Sequence, residues 1–194
     1  MPALTYSHRK SVLAPALLYS LQGATLQWTD DNGGSGSLNL ADIVKVNLLY
    51  DPTRFERNRF RTMLQARSGK SVIFTNMAYK GVADFEDQSA AYVAFVRSLH
   101  ARLAAQAGEV DFSGGSSPTK YLLYWLLTIF VVVMLIAASI WFFMVGLSWL
   151  SLIKLAIVCY YIPTLFAFMK RAKPRSYQPD NIPADLLPRL ASEH

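Results

Sequence analysis

The sequence predicts an α+β fold in two parts: antiparallel strands closed by one amphipathic helix, then two apolar helices forming a transmembrane hairpin. Three observations carry this. Apolar residues alternate with the strand period of two as far as Asn76. Tyr92, Phe95, Val96, Leu99 and Leu103 then recur at i, i+3, i+4, i+7 and i+11, one stripe of a helix. Residues 121–145 are 25 consecutive positions without a charge, enough to cross a hydrocarbon core roughly 30 Å thick.

The elements follow in order. Arg9-Lys10 before SVLAPALLYSL has the outline of a signal peptide, but Pro15, Tyr19, Ser20 and Gln22 fit its apolar segment poorly. Residues 17–22 and 24–30 read instead as short strands bridged by Gly23, and Asp30-Asp31-Asn32-Gly33-Gly34 as a turn. Residues 37–48 read as one long strand whose phase shifts at Ile43-Val44, as a bulge would make it. Asp51-Pro52 ends it. Residues 55–67 resume the alternation, with Phe60, Thr62, Leu64 and Ala66 on one face and Arg57, Arg59, Arg61 and Met63 on the other. Ser68-Gly69 is a tight turn and residues 70–76 a further strand. Asp87 is the expected helix N-cap and Gly108 the expected stop.

This order, with Leu26-Gln27-Trp28, the acidic glycine-rich turn and Ile43-Val44-Lys45-Val46, resembles the pleckstrin-homology-like (PH-like) domains of membrane-anchored bacterial, YcxB-like proteins. The resemblance spans roughly residues 10–108. It implies a partly open antiparallel β-barrel capped by the C-terminal helix of the domain, residues 90–106. It implies a fold more readily than an activity. Phosphoinositide-binding members of the pleckstrin family carry basic residues around the first strand hairpin. Here Asp30 and Asp31 follow Trp28, so that ligand is not carried over.

After the helix, Gly114-Gly115-Ser116-Ser117-Pro118 reads as a flexible link. The expected organisation is a cytoplasmic domain over residues 1–112, a Gly/Ser linker over 113–119, a helical hairpin over 120–170 with spans at about 121–145 and 147–169, and a Pro-rich tail over 171–194. Tyr121, Tyr124 and Trp125 at one end of the first span, and Trp141, Phe142 and Phe143 at the other, sit where interfacial aromatics belong. The second span has only 15 uncharged residues, 155–169, so crossing requires residues 147–154, with Lys154 snorkelling outward and Pro163 kinking the helix; the alternative is a re-entrant segment that returns to its own side. Gly146-Leu147-Ser148 is the turn. Lys120, Lys170, Arg171, Lys173 and Arg175 gather at one side of the spans. The positive-inside rule then puts both ends of a multi-pass protein in the cytoplasm, at a bacterial inner membrane. The tail reads either as an extended segment lying along another surface, anchored by Ile182, Leu186 and Leu187, or as a free, disordered Pro-rich tail.

Composition limits the function. Residues 1–119 hold 12 Lys/Arg against 10 Asp/Glu, and residues 120–194 hold 7 against 3, so the net charge of +6 is not one basic face for nucleic acid. Cys159 is the only cysteine, and His8, His100 and His194 are scattered, which excludes a disulfide framework and a zinc constellation. Gly69-Lys70-Ser71 lacks the earlier glycine of a phosphate loop, Leu64 standing there, and leads into a strand rather than a helix. No nucleophile–base pattern is visible, so the expectation is a non-enzyme with no catalytic residues, cofactor, metal or small-molecule substrate. One constellation stands above background: Arg57, Arg59 and Arg61 on one strand face, a candidate site for anionic lipid or a partner, against a simple solvated face partly neutralised by Glu56. The expected role is an accessory or scaffold presenting its domain to other integral membrane proteins. Alternatives are a module binding anionic membrane lipids, or a small transport component in which Lys154 is the intramembrane ionisable group.

Overall fold

The computed structural model describes residues 4–9, 11–82, 84–106, 109–145 and 148–190. The expected helix stop at Gly108 and the turn at Gly146-Leu147 lie outside the described residues. The chain divides into two compact units, one running to Gly115 and resuming at Arg175, the other covering residues 116–174.

In the first unit, β1 (Leu4–Arg9), β2 (Ala16–Gln22), β3 (Thr25–Asp30) and β4 (Ser35–Asn39) form an antiparallel sheet in chain order. The stretch with a signal-peptide outline thus contributes β2 to a hairpin with β1, and Tyr19 from it and Tyr6 from β1 are core residues. The strand expected over 37–48 is broken. Asn39 caps a 3-10 turn at Leu40–Asp42, which drives Leu40 into the core, and β5 (Ile43–Tyr50) follows with a register shift between Ile43 and Lys45. β6 (Phe60–Ala66) and β7 (Ser71–Thr75) pair with it in antiparallel succession. Phe60, Thr62, Leu64 and Ala66 are all buried, the face that alternation predicts. β6 is shorter than the expected 55–67 because Tyr50 to Phe60 is a closed loop.

The hairpin of β8 (Met77–Gly81) and β9 (Asp84–Asp87) leads into α1 (Ser89–Ala104). The N-cap of α1 is Gln88, one residue after the expected Asp87, and its side chain makes no cap hydrogen bond; the Asp87 carboxylate, one position outside, accepts from the Ser89 N–H at 2.8 Å. β10 (Asp111–Gly114) then lies parallel to β5, a pairing the expected all-antiparallel order did not contain. After the second unit, β11 (Arg175–Ser176) pairs antiparallel with β10, giving the order β11-β10-β5-β6-β7. Ser113 and Gly114, expected in a flexible link, are therefore strand residues, and the tail belongs to the domain. Among the described residues the strands make separate sheets and no closed barrel.

β7 crosses the first sheet strand by strand. Lys70, just before it, reaches the Ser37 carbonyl and lies 4.5 Å from the Trp28 ring centroid; the Ile73 carbonyl accepts from the Tyr19 hydroxyl; the Thr75 carbonyl accepts from Tyr6. Between the layers Tyr6, Tyr19, Phe74, Tyr92 and Phe95 pack with ring centroids 5.4–6.1 Å apart in tilted or edge-on pairs, the geometry aromatic quadrupoles prefer. The α1 stripe of Tyr92, Phe95, Val96, Leu99 and Leu103 closes this core.

The second unit holds α2 (Pro118–Met144) and α3 (Ser148–Ala172). Ser117 caps α2, its hydroxyl accepting from the Lys120 backbone N–H, and Pro118 takes the first helical position, where its missing N–H is no loss. The two helices are antiparallel neighbours. The Ser116 N–H donates to the Ala172 carbonyl at 2.9 Å, and Tyr124 meets Phe168 edge-on at 5.7 Å. α3 continues through Pro163. Among the described residues α2 is long and apolar enough to cross a membrane, and α3 does not reach the same apolarity.

Candidate functional site

The arginine cluster is not one strand face. Arg57 lies in a turn and Arg59 just before β6, and only Arg61 is in the strand. Asp51-Pro52 ends β5, and the loop that follows folds back on itself. The Thr53 N–H donates to the Glu56 carbonyl and the Glu56 N–H to the Thr53 hydroxyl, each at 3.0 Å. The Asp51 N–H donates to the Arg59 carbonyl at 3.0 Å, closing the loop at its neck. Asn76 holds the far side, taking the Phe60 N–H on Oδ1 at 2.7 Å and donating to the Asn58 carbonyl at 2.9 Å. The Tyr50 hydroxyl donates to the Arg57 carbonyl at 2.8 Å.

Charges inside this loop are consumed in holding it. Arg59 binds the buried Glu56 at 2.8 Å and lies 3.5 Å from Asp51, which also takes Arg61 at 3.0 Å. A half-buried pair of this kind fixes geometry, and removing one partner strands the other charge. Two of the three expected arginines are thus tied to carboxylates. Arg57 is exposed, as is Arg54, and among the described residues neither forms an ion pair. Between them Phe55 is 66% exposed, with the Arg54 guanidinium 6.0 Å from its ring centroid. Phe55 was hidden in the sequence because alternation continues through it. The acid residues at 51 and 56, spaced to meet Arg59 and Arg61, are the signal that marks a closed loop.

The second constellation holds the tail. Arg175, three residues after the end of α3, binds Asp185 and so helps to close the tail. The Tyr177 hydroxyl and His100 Nε2 are 2.8 Å apart, their rings stack, and His100 Nδ1 contacts the Val96 carbonyl at 2.8 Å. Burial pushes His100 down to about 4 and Tyr177 up. Gly114 has no Cβ because Leu186 fills that space; a methyl there would overlap the Leu186 side chain. Leu186 and Leu187 are buried and Ile182 packs beside the core. His100 and Tyr177 are 77 positions apart, and nothing in the sequence spacing pairs them.

The remaining candidates are placed as follows. Lys120 is exposed in the first turn of α2, Lys170 and Arg171 are in the last turn of α3, and Lys173 follows it, exposed. Lys154 is within α3, and its side chain lies outside the described atoms. Among the described residues no three His, Cys, Asp or Glu converge as metal ligands. Compared with protein-family models, curated proteins and solved structures, the chain matches none, so its resemblance to PH-like domains rests on residue pattern alone.

Proposed function

We propose that this chain is a membrane-embedded accessory or scaffold protein. In this reading a PH-like domain is held at the cytoplasmic face of a bacterial inner membrane by a two-span hairpin and presented to other integral membrane proteins. One observation carries the reading: Gly114 and Arg175 are register partners on adjacent strands. Strands that pair lie about 4.8 Å apart. The segment between them therefore leaves and re-enters the domain at one place. α2 is about 40 Å long at helical rise, so if it crosses a bilayer, α3 must bring the chain back. Hydropathy understates α3, whereas chain closure does not depend on hydropathy. Lys120, Lys170, Arg171 and Lys173 gather at that common base, which the positive-inside rule assigns to the cytoplasm. α2 supplies an apolar surface for lipid or for neighbouring helices.

The test is photo-crosslinking in native membranes from exposed α2 positions such as Phe130 and Ile136, with a matching probe on the domain at Arg97. A scaffold should give discrete protein adducts from both units with the same integral membrane protein. Adducts to lipid alone from α2, with none from the domain, would overturn the scaffold reading.

A further inference from the structure

We propose that the loop between β5 and β6 is a second, interfacial membrane anchor. Phe55 enters the headgroup region, and Arg54 and Arg57 meet the phosphates of anionic lipid. The proposal rests on the hairpin reading and adds a site to it. The placement comes from strand direction. β10 is parallel to β5, with Leu48 opposite Gly114, and the Gly115 N–H donates to the Leu48 carbonyl at 2.9 Å. The chain thus leaves for α2 beside Leu48, three residues before Asp51, at the end of the sheet where β5 runs out. β11 enters at the same end, with Arg175 opposite Gly114. Only Ser116 and Ser117 separate Gly115 from Pro118, a reach of about 10 Å. The end of the sheet that bears this loop is therefore tethered within about 10 Å of chain to the start of the span.

The loop suits that position. Its carboxylates, Asp51 and Glu56, are held in ion pairs with Arg59 and Arg61, while Arg54, Phe55 and Arg57 are exposed. Its neck and far side are hydrogen-bonded, so presenting Phe55 requires little ordering at the moment of contact. An aromatic between two cations is the composition of an interfacial contact: the ring partitions at the headgroup boundary and each cation gains from the surface potential. The span keeps the bilayer at high effective concentration, so a contact too weak to recruit a free domain suffices to orient a tethered one.

The experiment uses the full chain with Cys159→Ala, reconstituted in vesicles of phosphatidylcholine alone or with phosphatidylglycerol, carrying one fluorophore at Phe55→Cys. Quenching by lipid-borne nitroxides reports contact with the bilayer. Matching labels at Ser68→Cys, in the turn at the opposite end of the sheet, and at Lys120→Cys, at the start of the span, serve as references. We expect strong quenching at 55 with phosphatidylglycerol, little at 68, and quenching at 120 in both lipids. Arg54→Gln with Arg57→Gln should reduce the docking equilibrium at 55 about 30-fold, and 1 M salt should act in the same direction. Both arginines are exposed and, among the described residues, form no ion pair, so the fold should stand. Quenching at 120 with none at 55, or quenching at 55 indifferent to the arginines, would overturn this proposal alone. An unquenched label at 120 would overturn the hairpin reading with it.

Discussion

Leu186 and Gly114 meet as a side chain and the absence of one. Leu186 is fully buried, and the space a Cβ on Gly114 would need is already taken by its methyl groups. Leu186→Ala should destabilise the domain by about 2–5 kcal/mol, the usual range for emptying such a site. Gly114→Ala should also destabilise it, by pushing the tail off β10. In the double variant the new methyl occupies part of the vacated space, so the loss should be smaller than the sum of the two. Thermal unfolding of the three detergent-solubilised variants checks this, and strict additivity would separate the two residues. Trp28 follows the same logic at lower stakes. It is half-buried over Gly36, with Lys70 on its face, so Trp28→Ala should cost about 2 kcal/mol rather than the 3–5 of a core aromatic. The indole could be read from the sequence as a packing residue, but its depth could not, because depth is set by β7 crossing the sheet.

At the scale of elements, the strands that alternate were legible and the strands made by pairing were not. β6 buries Phe60, Thr62, Leu64 and Ala66 as the pattern requires, and α1 buries its apolar stripe. β10 and β11 consist of Asp-Phe-Ser-Gly and Arg-Ser, in which only Phe112 favours a strand, and they are extended because a neighbour is there to bond them. The candidate site was legible to the same degree: the arginines stood out, but the inward turn of Arg59 and Arg61 depended on a loop closure that alternation concealed. The tail also carries a pH dependence. His100 stays neutral in the docked state because burial pushes it down to about 4, while in an open or unfolded chain it protonates near its ordinary 6.5. Between these values the open chain binds more protons. Stability is therefore intact above about pH 6.5, falls as pH drops towards 4, and loses nothing further to this group below that. The total is on the order of 3 kcal/mol. Urea midpoints from pH 7 to 4 should decline, and His100→Leu should flatten the decline. An unchanged slope in that variant would assign the acid sensitivity to another group.

At the scale of the whole molecule, the β10–β11 pairing turns a question of hydropathy into one of connectivity. A helix as apolar as α2 needs no help to be read as a span, whereas α3 has Lys154 and Pro163 within it and is ambiguous by composition. Closure requires that the chain return to the side it left, provided that the tail docks on the domain in the membrane-inserted protein, and both the docking and the crossing can be tested directly. In the Cys159→Ala background, single cysteines at Ser116, Val145 and Ser176 are offered a membrane-impermeant maleimide in intact spheroplasts and again after permeabilisation. Two spans with cytoplasmic ends require Val145→Cys to react before permeabilisation, and Ser116→Cys and Ser176→Cys to react only after it. If 116 and 176 react from opposite faces, the tail cannot lie on β10 in the native protein, and the hairpin reading fails together with the tail contacts. If Val145→Cys reacts from neither face, α2 and α3 form a re-entrant pair. The positive cluster then marks its entry side without marking a crossing, because charge sets the side while closure requires only that the chain return.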